Sequence, residues 1–116
     1  MTLRFTEICI DSHDTAAQAR WWSQALGWTV IPADDDGEWV LRPPGAAGPE
    51  WLFLPVPEGK SIKNRIHFDF TPDDQQAEVQ RLIALGARHV DIGQGEQTWV
   101  VLADPEGNEF CVLAAR

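Results

Sequence analysis

Apolar and polar residues alternate from Phe5 to Asp11 (FTEICID), the period of a half-buried strand. Asp14 then stands as a helix N-cap, and a helix is predicted over 15–26, with Gly27 as the left-handed residue that ends it. Short apolar runs near 28–32, 38–42 and 51–56 read as strands. Asp36-Gly37 marks a turn between the first two, and a loop from Pro43 to Pro49 precedes the third. The second half repeats this order. A strand is predicted over 66–71 (IHFDFT) and a helix over 74–85 closed by Gly86. Strands follow near 87–92, 98–103 and 109–114. Asp104-Pro105-Glu106-Gly107 supplies a turn, with proline preset at its second position and glycine free to take positive φ.

The two halves superpose in sequence. Leu26-Gly27 corresponds to Leu85-Gly86 and Glu50-Trp51 to Glu109-Phe110 at an offset of 59. Asp14 corresponds to Asp74 and Trp39-Val40 to Trp99-Val100 at an offset of 60. A solenoid needs at least three repeats, so two copies of strand-helix-strand-strand-strand imply one pseudo-symmetric domain. The predicted fold is α+β, with residues 1–58 and 59–116 as tandem βαβββ modules.

Helical spacing puts Ala17, Trp21 and Ala25 on one stripe, and Val79, Leu82 and Ile83 on another. Ile8, Ile10, Phe68, Phe70, Phe110 and Val112 share the strand face expected beneath these helices. The opposite face carries Glu7, Cys9, Asp11, His67, Asp69, Cys111 and Leu113. Unpaired charge is costly in a dry core, so this second face reads as the solvated lining of a cavity within a cupped mixed sheet. A dimer interface with satisfied ion pairs is the other reading.

Composition narrows the partners. The chain has 116 residues and a net charge of −9, opposite to the basic footprint that nucleic acid requires. No run of about 18 apolar residues is present, so no membrane helix is expected. The start, Met1-Thr2-Leu3-Arg4-Phe5, lacks the charged and apolar regions of a secretory signal. The two cysteines, Cys9 and Cys111, lie outside any CxxC and read as reduced thiols of a cytoplasmic protein. Six tryptophans supply either core and interface or an aromatic pocket wall.

Three stretches then carry a family resemblance that covers nearly the whole chain. They are Asp14–Gly27 (DTAAQARWWSQALG), Val56–Phe70 with the helix after it, and Thr98–Leu113 (TWVVLADPEGNEFCVL), which contains a DP-x-GN turn before the last strand. Together with the repeat they resemble the vicinal oxygen chelate superfamily of glyoxalase I, bleomycin-resistance proteins and extradiol dioxygenases, and within it the short bacterial glyoxalase-like proteins. The resemblance implies a homodimer and a divalent-metal site (zinc, nickel, manganese or iron) built from the first and last strands of each module. Carried over, the ligands are Glu7 and His67, at equivalent places in the repeat, and Cys111, where metal-dependent members usually have glutamate. The first-module counterpart of Cys111 is Leu52, which cannot ligate. A carboxylate, Asp69 or Asp11, would move the proton. Cys9, Trp39 and Trp99 are expected to contact the small-molecule ligand.

The residues leave other roles open. His67 is either a ligand or base, or a structural histidine paired near Glu7. Cys111 is a nucleophile only if a base such as His67 lowers its pKa, and otherwise an inert buried thiol. Lys60, Lys63 and Arg65 form a basic cluster that is either a solvated loop or a gate for an anionic substrate. Glu109 is expected to face away from Cys111. The function implied is small-molecule binding with lyase, isomerase or related activity on a small oxygenated metabolite. The alternatives are a non-catalytic sequestering protein of the bleomycin-resistance type and a regulatory domain with a vestigial cavity.

Overall fold

The structure is a computed structural model that describes residues 2–32, 36–45 and 48–116; residues 46–47 of the loop expected after Pro43 lie outside them. The chain divides into two compact units, Met1–Gly59 and Lys60–Arg116. Each has one helix and one four-stranded mixed sheet, the α+β class the repeat implies.

In the first unit the elements are β1 (Glu7–Ser12), α1 (Thr15–Leu26), β2 (Thr29–Pro32), β3 (Trp39–Arg42) and β4 (Glu50–Pro55). The sheet order is β1-β4-β3-β2, with β1 parallel to β4 and the other pairs antiparallel. In the second unit β5 (Asp69–Phe70), α2 (Gln75–Leu85), β6 (Arg88–His89), β7 (Val100–Ala103) and β8 (Glu109–Val112) repeat that order as β5-β8-β7-β6. The registers agree as well. Cys9 faces Leu52 across β1 and β4, as Asp69 faces Cys111 across β5 and β8.

Both helices are capped by the same chemistry. Asp14 accepts the Ala17 N–H at 3.1 Å and Asp74 accepts the Ala77 N–H at 3.0 Å, each satisfying a donor that the first turn leaves unpaired. Gly27 ends α1 at φ 71°, a conformation in which a Cβ would meet the following carbonyl. The buried stripe of α1 runs through Thr15, Gln18, Ala19, Trp22 and Ala25, with Trp21 beside it. Ala17 is exposed, because residues spaced strictly by four drift off a stripe centred on 15, 18, 22 and 25. In α2 only Leu82 is buried, and Ile83, one step around the helix, lies at the exposed edge.

Aromatic residues fill the first core. Trp51 of β4 packs edge-on against Trp22 at 5.3 Å and Trp28 at 5.4 Å, and Phe53 is fully buried. In the second unit Phe110 meets Phe70 at 5.9 Å, with Val101, Leu102 and Val112 buried around them.

β5 and β6 keep only two residues each, far fewer than the alternation predicts, and side chains explain both. Before Phe68 the chain is tied to β8 through the Glu109 carboxylate, which accepts the Asn64 N–H at 2.8 Å, rather than through ladder bonds. The Phe68 and Phe70 carbonyls still accept from Cys111 and Leu113. After His89 the side chains of Gln94 and Asp91 capture the Ile92 and Gly93 N–H groups, which ends β6 early.

Candidate metal centre

The parallel pairing of β5 with β8 creates the site. Asp69 stands opposite Cys111, and His67 lies two residues before Asp69 on the approach to the strand. One donor atom from each of His67, Asp69 and Cys111 falls within 4.8 Å of the others. His67 Nδ1 is 3.3 Å from Asp69 Oδ1, and Cys111 Sγ is 3.9 Å from His67 Nδ1. A tetrahedral cation with bonds of about 2.0–2.3 Å sets its donors roughly 3.3–3.8 Å apart; the His67–Asp69 separation lies within that range and the Cys111–His67 separation just beyond it. The cluster is buried at its base, where Cys111 is 4% exposed, and open at its rim, where His67 and Asp69 are exposed. A mixed N/O/S set of three protein donors is chemistry that suits zinc and leaves coordination positions for other ligands.

The thiol separates the two roles open to Cys111. Burial pushes its pKa up to about 11, helped by the charge and hydrogen bond of Asp69; Lys63 pulls the other way. A neutral buried thiol is a poor nucleophile, so these surroundings favour the inert thiol over the nucleophile. A cation could still displace the thiol proton, as metal binding to cysteine does. His67 Nδ1 lies beside the Asp69 carboxylate of its own unit.

Glu7, Cys9 and Asp11 are exposed on β1 of the first unit. The Cys9 thiol is raised by partial desolvation and by the negative charges of Glu7, Asp11 and Glu38. Trp39 is half-buried on β3 beneath the Arg20 guanidinium, 5.1 Å from its ring centre. Trp99 is 36% exposed just before β7. Trp21, Trp22 and Trp51 are core residues. Asp104 is fully buried and accepts from the Glu106 and Asn108 backbone and the Asn108 side chain, a turn role as its motif implies.

Glu109 corrects the expectation that it faces away from Cys111. Two residues apart on one strand, they share a face by the period of two. Its carboxylate accepts from Lys60 Nζ at 2.7 Å and from the Asn64 N–H. Desolvation alone would raise this carboxyl. The hydrogen bonds of Asn64 and Lys60 and the Lys60 charge outweigh it and hold the pKa below the usual glutamate value.

Comparison with known proteins places the chain in a family. A model of the glyoxalase-like domain matches residues 7–113, and the chain belongs to that family. Solved structures of the glyoxalase/bleomycin resistance/dioxygenase group share its fold. An enzyme of that group from Burkholderia phytofirmans PsJN is 20% identical, with a TM-score of 0.70 over 96% of this chain and 98% of that one. A mutant of the fosfomycin resistance protein FosX from Listeria monocytogenes, complexed with Mn(II) and 1S,2S-dihydroxypropylphosphonic acid, is 16% identical, with a TM-score of 0.72 over 100% and 93%. The trypanothione-dependent glyoxalase I of Leishmania major is 13% identical, with a TM-score of 0.66 over 97% and 87%. Among curated proteins no sequence matches this chain.

Proposed function

We propose that this chain is a small-molecule-binding glyoxalase-like domain that holds a divalent cation at His67, Asp69 and Cys111 and acts as a lyase or isomerase on a small oxygenated metabolite. The observation that carries the reading is the convergence of the three donors at the β5–β8 pairing. A cation there would supply Lewis-acid polarisation of substrate oxygens. Asp69 would contribute a carboxylate oxygen and negative charge beside His67, while Cys111 would anchor the site from the buried side. The Mn(II) of FosX, on a similar fold, supports a metal role, and its dihydroxy ligand supports a small oxygenated substrate. Homodimerisation and a cytoplasmic location belong to the same reading; the two free thiols suit a reducing compartment.

A second reading, a non-catalytic sequestering protein of the bleomycin-resistance type, is favoured by Leu52. It occupies in the first unit the place of Cys111 and offers no donor.

Elemental analysis of protein purified without chelator tests the proposal. Stoichiometric zinc, nickel, manganese or iron, lost in His67→Ala and Cys111→Ala, is the expected result, and the Glu7→Ala variant asks whether the first module supplies a ligand as well. A metal-free protein with no thermal shift on adding divalent cations overturns the metal reading and leaves the sequestering one.

A further inference from the structure

Three of the nine lysines and arginines of this acidic chain fall within six residues, Lys60, Lys63 and Arg65, immediately before His67. The structure gives them different tasks. Lys60 is committed: its ammonium is half-buried against Glu109. With the Asn64 N–H bonded to the other oxygen of the same carboxylate, Glu109 fastens the segment at two points to β8, two residues from Cys111. Lys63, held between those two points, donates to the Asn64 carbonyl at 3.2 Å. Neither Lys63 nor Arg65 has a carboxylate partner among the described residues, and both are exposed. Lys63 is also close enough to act on the Cys111 thiol electrostatically.

An unneutralised cation tethered beside a donor cluster gives a chain of net charge −9 a local attraction for anions. Solvated lysines on a free loop would do little. Here the loop is pinned by a carboxylate that neutralises Lys60 and leaves its neighbours charged.

We infer that the segment Lys60–Arg65 is an anion-binding strap, in which Lys63 and Arg65 receive a carboxylate, phosphate or phosphonate group of the ligand whose other oxygens face His67, Asp69 and Cys111. The inference rests on the proposed site for that second contact. The anion contact itself requires only the strap.

Inorganic phosphate is the probe, titrated into the metal-free and the zinc-loaded protein and followed by amide chemical shifts. Shifts centred on Lys63, Asn64, Arg65 and His67 in the metal-free protein are expected, with binding about tenfold weaker in Lys63→Gln/Arg65→Gln, the effect of losing a charge-assisted contact. Zinc retention by that double variant, measured in parallel, should equal wild type. Glycolate should bind the zinc-loaded protein more tightly than its neutral isostere glycolamide, and the double variant should erase the difference. Phosphate shifts spread over other basic residues, or binding unchanged in the double variant, overturn the inference. A protein that retains no zinc but still localises phosphate at the strap upholds the anion contact and removes the metal reading, so the two failures are distinguishable.

Discussion

Cys9 and Cys111 are the same functional group in opposite surroundings. Cys111 is 4% exposed and its pKa is pushed up to about 11; Cys9 is raised too, but it is exposed to reagent. Burial and the raised pKa both disfavour the Cys111 thiolate, so reactivity follows access and ionisation together. Titration with a disulfide reagent should show one fast thiol and one slow thiol. Cys9→Ser should remove the fast phase, and denaturation should equalise the two. A fast phase that survives Cys9→Ser would mean that Cys111 is activated, contrary to its burial and its acidic neighbour. His67 and Asp69 show how local the site is: their ring and carboxylate meet two residues apart, and only the third donor comes from another strand.

At the scale of elements, the Glu109 clamp joins β8 to the segment that delivers His67. Its folded-state pKa lies below the unfolded value, so its contribution to stability is present above the usual glutamate range and is lost as pH falls through the folded value. Thermal unfolding of Glu109→Gln should show a loss of roughly 2 kcal/mol near neutrality, since Lys60 is left half-buried without its counter-charge. The difference from wild type should shrink as the pH is lowered into the acid range, and a constant difference would refute the clamp. The N-caps test the repeat in the same way. Asp14→Ala and Asp74→Ala should each cost about 1 kcal/mol, because each removes the equivalent bond to an N-terminal amide.

For the whole molecule, a cation that binds the folded chain and not the unfolded one adds stability in proportion to the logarithm of its concentration over Kd. Zinc at a hundred times Kd should add about 2.7 kcal/mol and raise Tm by roughly 11 °C in a domain of this size. Chelator should reverse the rise, and His67→Ala and Cys111→Ala should abolish it. A Tm rise that persists in both variants would place the cation elsewhere on a surface of net charge −9.

Much of the architecture is written in local pattern. Period two in FTEICID, the Asp caps, the closing glycines and the doubled element order determine two βαβββ modules, because backbone preference and amphipathic burial act over a few residues at a time. Parity also contains the shared face of Glu109 and Cys111. What no local pattern holds is which side chain reaches across to another strand. Asp69 reads as a proton carrier until the register sets it opposite Cys111, and Lys60 reads like Lys63 until one of them meets Glu109. Tertiary structure decides these because parallel pairing and a loop clamp join residues more than forty positions apart, and the energy of such contacts depends on distance and burial that the order of residues does not encode.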